Sequence, residues 1–224
     1  MSPRPALPKL CDTAVMAITG SIGALWAAQF VLELRAGGHV REVRVVMSPS
    51  ATQFVTPVAM RALSGAPVLS GLLDEDAPLP VGHVQISENA GVMIVMPATA
   101  NIIGKVANGI ADEAVSASIM AAECPVVFVP NMNDRMWRRD AVQRNVRTLV
   151  RDGHHVVPPV AGTAISTGRT ATGGMPDFAT VLRAVRKIVS ARRPARRSLV
   201  RLRAKRHGAT APKLKARRRG EGER

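Results

Sequence analysis

Cys124-Pro125-Val126-Val127-Phe128-Val129 runs straight into Pro130-Asn131-Met132-Asn133-Asp134-Arg135-Met136-Trp137, so an apolar segment bounded by prolines gives way at once to a polar loop. An unbroken apolar run of strand length suits a strand buried on both faces of a parallel sheet. The loop after it then lies at the carboxyl end of a strand, where open α/β sheets bind ligands. Asn133 offers an amide that can donate to a carboxylate or a ring oxygen, rimmed by Met132, Met136 and Trp137. A polar anchor in an apolar rim suits a small-molecule site. A buried Met/Trp cluster would explain the apolar residues but not Asn133.

Upstream, Thr13 to Ile18 is a strand-length apolar run, and Thr19-Gly20-Ser21-Ile22-Gly23-Ala24 turns it into a helix expected from Ile22 to Arg35. A strand, a small-residue turn and a helix amino terminus can cradle a phosphate, because free N–H groups and the helix dipole point at the anion. Ser21 adds a hydroxyl. The spacing is not G-x-G-x-x-G and a tight turn needs glycine anyway, so this turn alone names no ligand. Val43 to Met47 is a second strand, and Ser48 to Phe54 opens a helix with hydroxyls at its start, where plain helix capping by Ser48 or Ser50 is an equal reading. Gly65 to Gly82 is punctuated by glycine and proline. His83 enters from a loop ahead of the strand Val92 to Met96. At that strand's end, the small residues of Pro97-Ala98-Thr99-Ala100-Asn101-Ile102 allow close backbone approach to a flat ring, and Asn101 can bond the ring or a substrate.

After the opening stretch come a helix from about Met136 to Arg151, a short strand His154 to Val157, a long polar loop Gly162 to Pro176 and a helix Asp177 to Val189. A loop of that length marks a flexible lid or disorder. Strands alternating with helices predict a doubly wound, Rossmann-like (flavodoxin-like) α/β domain with a parallel sheet. It is expected as a single domain over 13–191, after an irregular arm at 1–12.

The chain carries a formal charge of +15, which suggests a nucleic-acid binder until the charge is located. Residues 192–224 hold 14 Lys/Arg against two Glu, leaving residues 1–191 with 17 basic and 14 acidic residues, only +3. That tail has few large apolar residues, and its composition predicts a disordered extension. No aromatic residue is interleaved to stack on bases, so nucleic acid is not the expected partner. Cys11 and Cys124 lack metal-ligand spacing, and the His154-His155 pair is not metal-spaced either, so no metal site is expected. Nor do two cysteines so far apart in sequence indicate a disulfide framework, and a reducing cytoplasm is expected. No run reaches the ~20 apolar residues that span a bilayer.

Together these segments resemble the homo-oligomeric flavin-containing cysteine decarboxylases, which include phosphopantothenoylcysteine decarboxylases and the peptidyl-cysteine decarboxylases of modified-peptide biosynthesis. Pro130 to Trp137 matches P-x-M-N-x-x-M-W at every fixed position. Pro97 to Ile102 resembles P-A-S-A-N-T, with Thr99 for serine and Ile102 for threonine, and Gly104 to Asp112 matches G-K-x-A-x-G-x-A-D. The resemblance implies that Gly20, Ser21 and Ile22 hold the flavin phosphate. It implies that Ser48, Phe54, Ala98, Thr99 and Ala100 line the flavin, that His83 is the base, and that Asn133 orients the substrate carboxylate. Asn101, Met132, Met136 and Thr167 are the remaining substrate-binding candidates. FMN is expected rather than FAD because only one phosphate cradle is visible. The resemblance further implies a trimer, or a dodecamer of trimers, with the flavin held between subunits.

One departure discriminates within the family. Phosphopantothenoylcysteine decarboxylases resemble A-C-G-x-x-G-x-G-R-M in the lid, where the cysteine returns a proton to the intermediate. Anchoring on Gly173-Gly174-Met175 puts Thr167 at that cysteine and Gly174 at the arginine. The expected activity is therefore flavin-dependent oxidative decarboxylation of a C-terminal peptidyl cysteine, on a precursor peptide, to an aminoenethiol. A phosphopantothenoylcysteine decarboxylase, a flavin prenyltransferase and a non-catalytic flavoprotein that docks a partner through its basic tail are the alternatives.

Overall fold

Every residue of the first strand, β1 (Thr13–Ile18), is buried, which only a central strand covered on both faces allows. The computed structural model describes residues 9–72, 81–163, 168 and 170–206. After β1 come α1 (Ala24–Ala36), β2 (Glu42–Met47), α2 (Pro57–Ser64), β3 (Val68–Leu69), α3 (Gly82–Gln85) and β4 (Val92–Ala98). Then follow α4 (Ala100–Ala107), α5 (Ala114–Ala121), β5 (Val126–Pro130), α6 (Asp134–Trp137), α7 (Asp140–Arg151), β6 (His155–Val156), β7 (Val160–Thr163), β8 (Thr170–Gly174) and α8 (Phe178–Arg206). The main sheet is parallel with order β3-β2-β1-β4-β5-β6, and its winding reverses between β1 and β4.

Side chains alternate along each strand, so the sheet supplies two cores. Met16, Ile18, Val45 and Ile94 face α1, α2 and the start of α8. Val15, Val46, Met93 and Phe128 face α4, α5 and α7. The doubly wound α/β sheet is as expected. Among the described residues no helix is long and apolar enough to cross a membrane.

Several local expectations are corrected. The first helix starts at Ala24 rather than Ile22, because Gly20 to Gly23 form the turn. The helix expected after Ser48 is a single 3-10 turn, Ala51–Gln53; the true helix α2 begins at Pro57, with Thr56 accepting from Ala59 N at 3.1 Å. The Gly65–Gly82 segment holds a two-residue edge strand, β3. His83 sits on the short helix α3, not in a loop. The helix expected from Met136 to Arg151 is broken into α6 and α7 at the extended Arg139, and Gln143 Nε2 donates to the Trp137 carbonyl at 2.6 Å across the break.

The supposed flexible loop from Gly162 is largely an antiparallel pair, β7 with β8, joined through residues outside the described ones. The closing helix does not end at Val189 but runs to Arg206, and a first unit ends at Ser190. Residues 1–8 of the expected arm and 207–224 of the expected tail lie outside the described residues.

At the reversal point, Thr19, 2% exposed, donates its hydroxyl to the Pro97 carbonyl at 2.7 Å and accepts from Thr99 N at 3.2 Å. Thr19→Val keeps the shape and strands both partners, so it is expected to lower stability by about 1–3 kcal/mol, read as the urea midpoint at unchanged slope.

His39, 5% exposed, lies beside Phe178, and its Nδ1 has no partner among the described residues. Burial, with the Arg186 charge second, pushes its pKa below 6.5 against the pull of Glu33. The folded state thus binds fewer protons than the unfolded one. The stability contributed by neutral His39 is complete above 6.5 and is lost as the pH falls through the folded value. The melting temperature is expected to drop from about pH 7 to about pH 5 more steeply in the parent than in His39→Leu; equal slopes would contradict this.

Candidate flavin and substrate site

The candidate site is built at the carboxyl edge of the sheet. Gly20 follows β1 so closely against the turn after β2 that a Cβ there would meet Ser50 Cβ at 2.5 Å and its carbonyl carbon at 2.8 Å. Only glycine lets the two turns touch, and their contact gathers Ser21, Ser48 and Ser50 at one edge. Ser48 and Ser50 hydroxyls lie 3.1 Å apart, and Ser48 Oγ also accepts from Ala51 N at 3.2 Å, so Ser48 is a cap as well as a candidate. The amino terminus of α1 has no side-chain cap at Gly23 and no acidic residue in its first turn. Its positive end is therefore uncompensated by carboxylate. Ile22 (39%) and Phe54 (40%) expose apolar surface beside this polar patch. The free N–H groups expected at this helix end are already bonded, Ala24, Leu25 and Trp26 N to the Ser21, Ile22 and Gly23 carbonyls and Gly23 N to Ser21 Oγ at 3.2 Å. The glycine turn, the Ser48 and Ser50 hydroxyls and the helix dipole still fit a phosphate, and the exposed Ile22 and Phe54 fit an apolar ring, so the chemistry present suits a flavin mononucleotide.

At the end of β4, Ala98 is buried, while Thr99, Ala100 and Asn101 form the start of α4. Thr99 caps that helix by accepting from Ile102 N at 3.4 Å and takes the Thr19 hydroxyl at 3.2 Å. Ile102 is fully buried, so the threonine lost from the P-A-S-A-N-T pattern belongs to a position that faces the core. In the next motif Lys105 pairs with Asp112 at 2.7 Å, which holds the Asp112 carboxyl below its ordinary range. Gly109, at φ 70°, makes the turn between them. This motif staples α4 to the segment that leads into α5.

After β5, Asn131 is the hub. Its Oδ1 accepts from Ser21 Oγ at 2.8 Å, its Nδ2 donates to the Gly173 carbonyl at 3.2 Å, and its N–H donates to the Ala98 carbonyl at 3.1 Å. Three strand ends and the hairpin thus meet on one residue. Asn133 caps α6: its amide oxygen accepts from Arg135 N at 2.9 Å, which orients the NH2 group. A cavity of about 710 Å³ opens between this loop, α1 and the hairpin, bounded by Ser21, Trp26, Met132, Asn133, Gly173 and Met175 among others. Met136 is 47% exposed and does not line it.

The structure brings the Gly20, Ser48, Ala98 and Asn133 groups to one edge but keeps His83 away from Asn133. Gly82 would press a Cβ onto Leu69 Cδ1 at 2.7 Å, so α3 begins beside β3. Four strand spacings of ~4.8 Å separate β3 from β5, or roughly 19 Å. Among the described residues His83 makes no hydrogen bond to the other candidates. Thr167 lies outside the described residues. Sequence reasoning missed Thr19, Ser50 and Asn131; the place of Asn131 between the strand and Met132 was the available signal.

The family model described as Flavoprotein matches residues 9–190. The coenzyme A biosynthesis bifunctional protein CoaBC of Vibrio vulnificus (strain YJ016) is 36% identical over 148 residues, 66% of this chain and 36% of its own length. This chain therefore spans little more than a third of that relative. Among solved structures, SpaF, described as an FMN-dependent cysteine decarboxylase, is similar with a TM-score of 0.69 and 31% identity, over 80% of this chain and 97% of its own. The peptidyl-cysteine decarboxylase EpiD is similar with a TM-score of 0.67 and 29% identity, over 78% of this chain and 98% of its own. With the family match running from before β1 into α8, the chain belongs to the Flavoprotein family.

Proposed function

We propose that this chain is an FMN-dependent enzyme that oxidatively decarboxylates the C-terminal cysteine of a precursor peptide to an aminoenethiol, in modified-peptide biosynthesis. The names of SpaF and EpiD support the reaction class. One observation carries the choice of product. The chain has two cysteines, Cys11 just ahead of β1 and Cys124 just ahead of β5, both at the amino edge of the sheet. A five- or six-residue strand spans ~20 Å, so neither thiol of a chain reaches its own carboxyl edge to return a proton to the product. A phosphopantothenoylcysteine substrate, favoured by identity to the coenzyme A biosynthesis protein, would need such a donor for its reductive half.

Gly20, Ser21, Ile22, Ser48, Phe54, Ala98, Thr99 and Ala100 hold the cofactor in this reading. FMN held there would supply the acceptor for a hydride from the cysteine side-chain carbon. His83 takes the thiol proton, so that carbon and sulfur become a thioaldehyde. Asn133 directs its NH2 at the substrate carboxylate, aligning the bond that breaks, and Asn101, Met132, Met136 and Thr167 frame the peptide end. Loss of CO2 leaves its electron pair on the α-carbon, delocalised onto sulfur, and a proton gives the aminoenethiol. The net change is removal of CO2 and two hydrogens.

Because His83 and Asn133 are far apart in one chain, the complete site joins two copies in a homo-oligomer, a trimer or a dodecamer of trimers. Exposed Leu25 (49%), Trp26 (52%) and Val58 (65%) on α1 and α2 offer apolar surface for such contacts. Under anaerobic conditions a peptide ending in cysteine is expected to bleach the visible absorbance of the flavin, and one ending in serine is not. His83→Asn and Asn133→Asp are each expected to lose about 100-fold or more of this rate. Dissociated and reassembled together, they are expected to regain part of it. No bleaching by the parent would contradict the reaction; no recovery on mixing would contradict the shared site.

A further inference from the structure

Arg44 spreads its guanidinium between two kinds of partner. Glu42 clamps one side, with Nε donating to Oε1 at 2.9 Å and Nη2 to Oε2 at 3.2 Å. Thr13 Oγ1 adds a bond to the same Oε2 at 3.1 Å. On the other side Nη1 faces three main-chain carbonyls, those of Gln85 and Ile86 at 3.3 Å and Glu88 at 2.8 Å. Gln85 ends α3 and its carbonyl also accepts from Glu88 N at 3.2 Å, while Ile86 and Glu88 belong to the turn that follows, so Arg44 ties the end of the helix to that turn. The guanidinium also holds the Glu42 carboxyl below its ordinary range, so the pair is charged at neutral pH.

A helix of four residues cannot hold itself in water, and its last carbonyls need donors. A cation suits that end. The other end is fixed by Gly82 against Leu69, which pairs with Val46 near the carboxyl end of β2. Arg44 lies two residues earlier on the same strand, roughly 7 Å down the sheet. The segment that carries His83 is therefore strung between two fixings, one at the carboxyl edge and one at Arg44.

We propose that Arg44, clamped by Glu42 and Thr13, is a positioning residue for His83: it holds α3 by its carbonyl end and so keeps His83 in register with the carboxyl edge of the sheet. This inference rests on the role given to His83 above. Arg44 touches no substrate.

The test uses the flavin-loaded full chain with a peptide ending in cysteine. Arg44→Met is expected to lose about tenfold or more in kcat with KM within about threefold and flavin content unchanged, and Arg44→Lys to recover part of the loss. The Arg44→Met/His83→Asn double variant is expected to be no slower than His83→Asn alone. A kcat within about twofold of the parent, or a full tenfold loss repeated in the His83→Asn background, would overturn the proposal. Should Arg44→Met not retain flavin, Glu42→Gln loosens the clamp without removing the cation and is expected to lower kcat in the same sense; unchanged kcat there would overturn it. If the parent leaves the peptide untouched, the proposed function fails by itself and hydrogen exchange decides. Amides 82–88 exchanging about tenfold faster in Arg44→Met, with β1 and β4 unchanged, would support the anchoring, and equal exchange would overturn it.

Discussion

The hydroxyl of Thr19 closes the point at which the sheet changes its direction of winding. β1 and β4 lie side by side there, and their chains depart to opposite faces. Without a link the two strand ends would carry unsatisfied groups into a crevice that the α helices do not cover. Thr19 answers the Pro97 carbonyl and Thr99 N, and Asn131 repeats the device one strand further, joining Ser21, Ala98 and Gly173. The central strands β1, β4 and β5 beneath are apolar except for Thr13, so the edge is where polar side chains can gather. The site is a consequence of how the fold satisfies that edge.

Much of this was legible in the chain itself. A buried parallel strand needs a continuous apolar run, and Thr13–Ile18, Val92–Met96 and Val126–Val129 announced themselves that way. Gly20 was legible as a turn. Its contact with Ser50 was not, because it joins two loops 30 residues apart in sequence. β3 is two residues long and escapes any periodicity. The break at Arg139 is marked by no proline or glycine, and the Gln143 bond to the Trp137 carbonyl that bridges it is a contact that spacing does not encode. The β7–β8 pair is rich in glycine and threonine and reads as a loop, yet its partner bonds and the seating of Gly173 under the Met132 carbonyl make it a wall of the cavity.

Two departures from the family pattern acquire physical meaning together. Ile102 stands where the pattern has a threonine, at a fully buried position, so the change falls on the core and not on Ala98, Thr99 and Ala100, the residues proposed to line the flavin. The lid, by contrast, lacks a thiol, and both of the chain's cysteines lie at the opposite edge of the sheet. A machine that oxidises and decarboxylates needs a base, a carboxylate anchor and a flavin. One that also reduces its product needs a proton donor as well, and the proposed oxidative outcome rests on there being no cysteine between Gly162 and Pro176.

The mass of the product therefore tests the central claim most directly. The purified, flavin-loaded chain is incubated in air with a peptide ending in cysteine, and the peptide is followed by mass spectrometry. Loss of CO2 together with two hydrogens is the predicted result. Loss of CO2 alone would show that a proton and hydride return to the product, and would contradict the oxidative assignment.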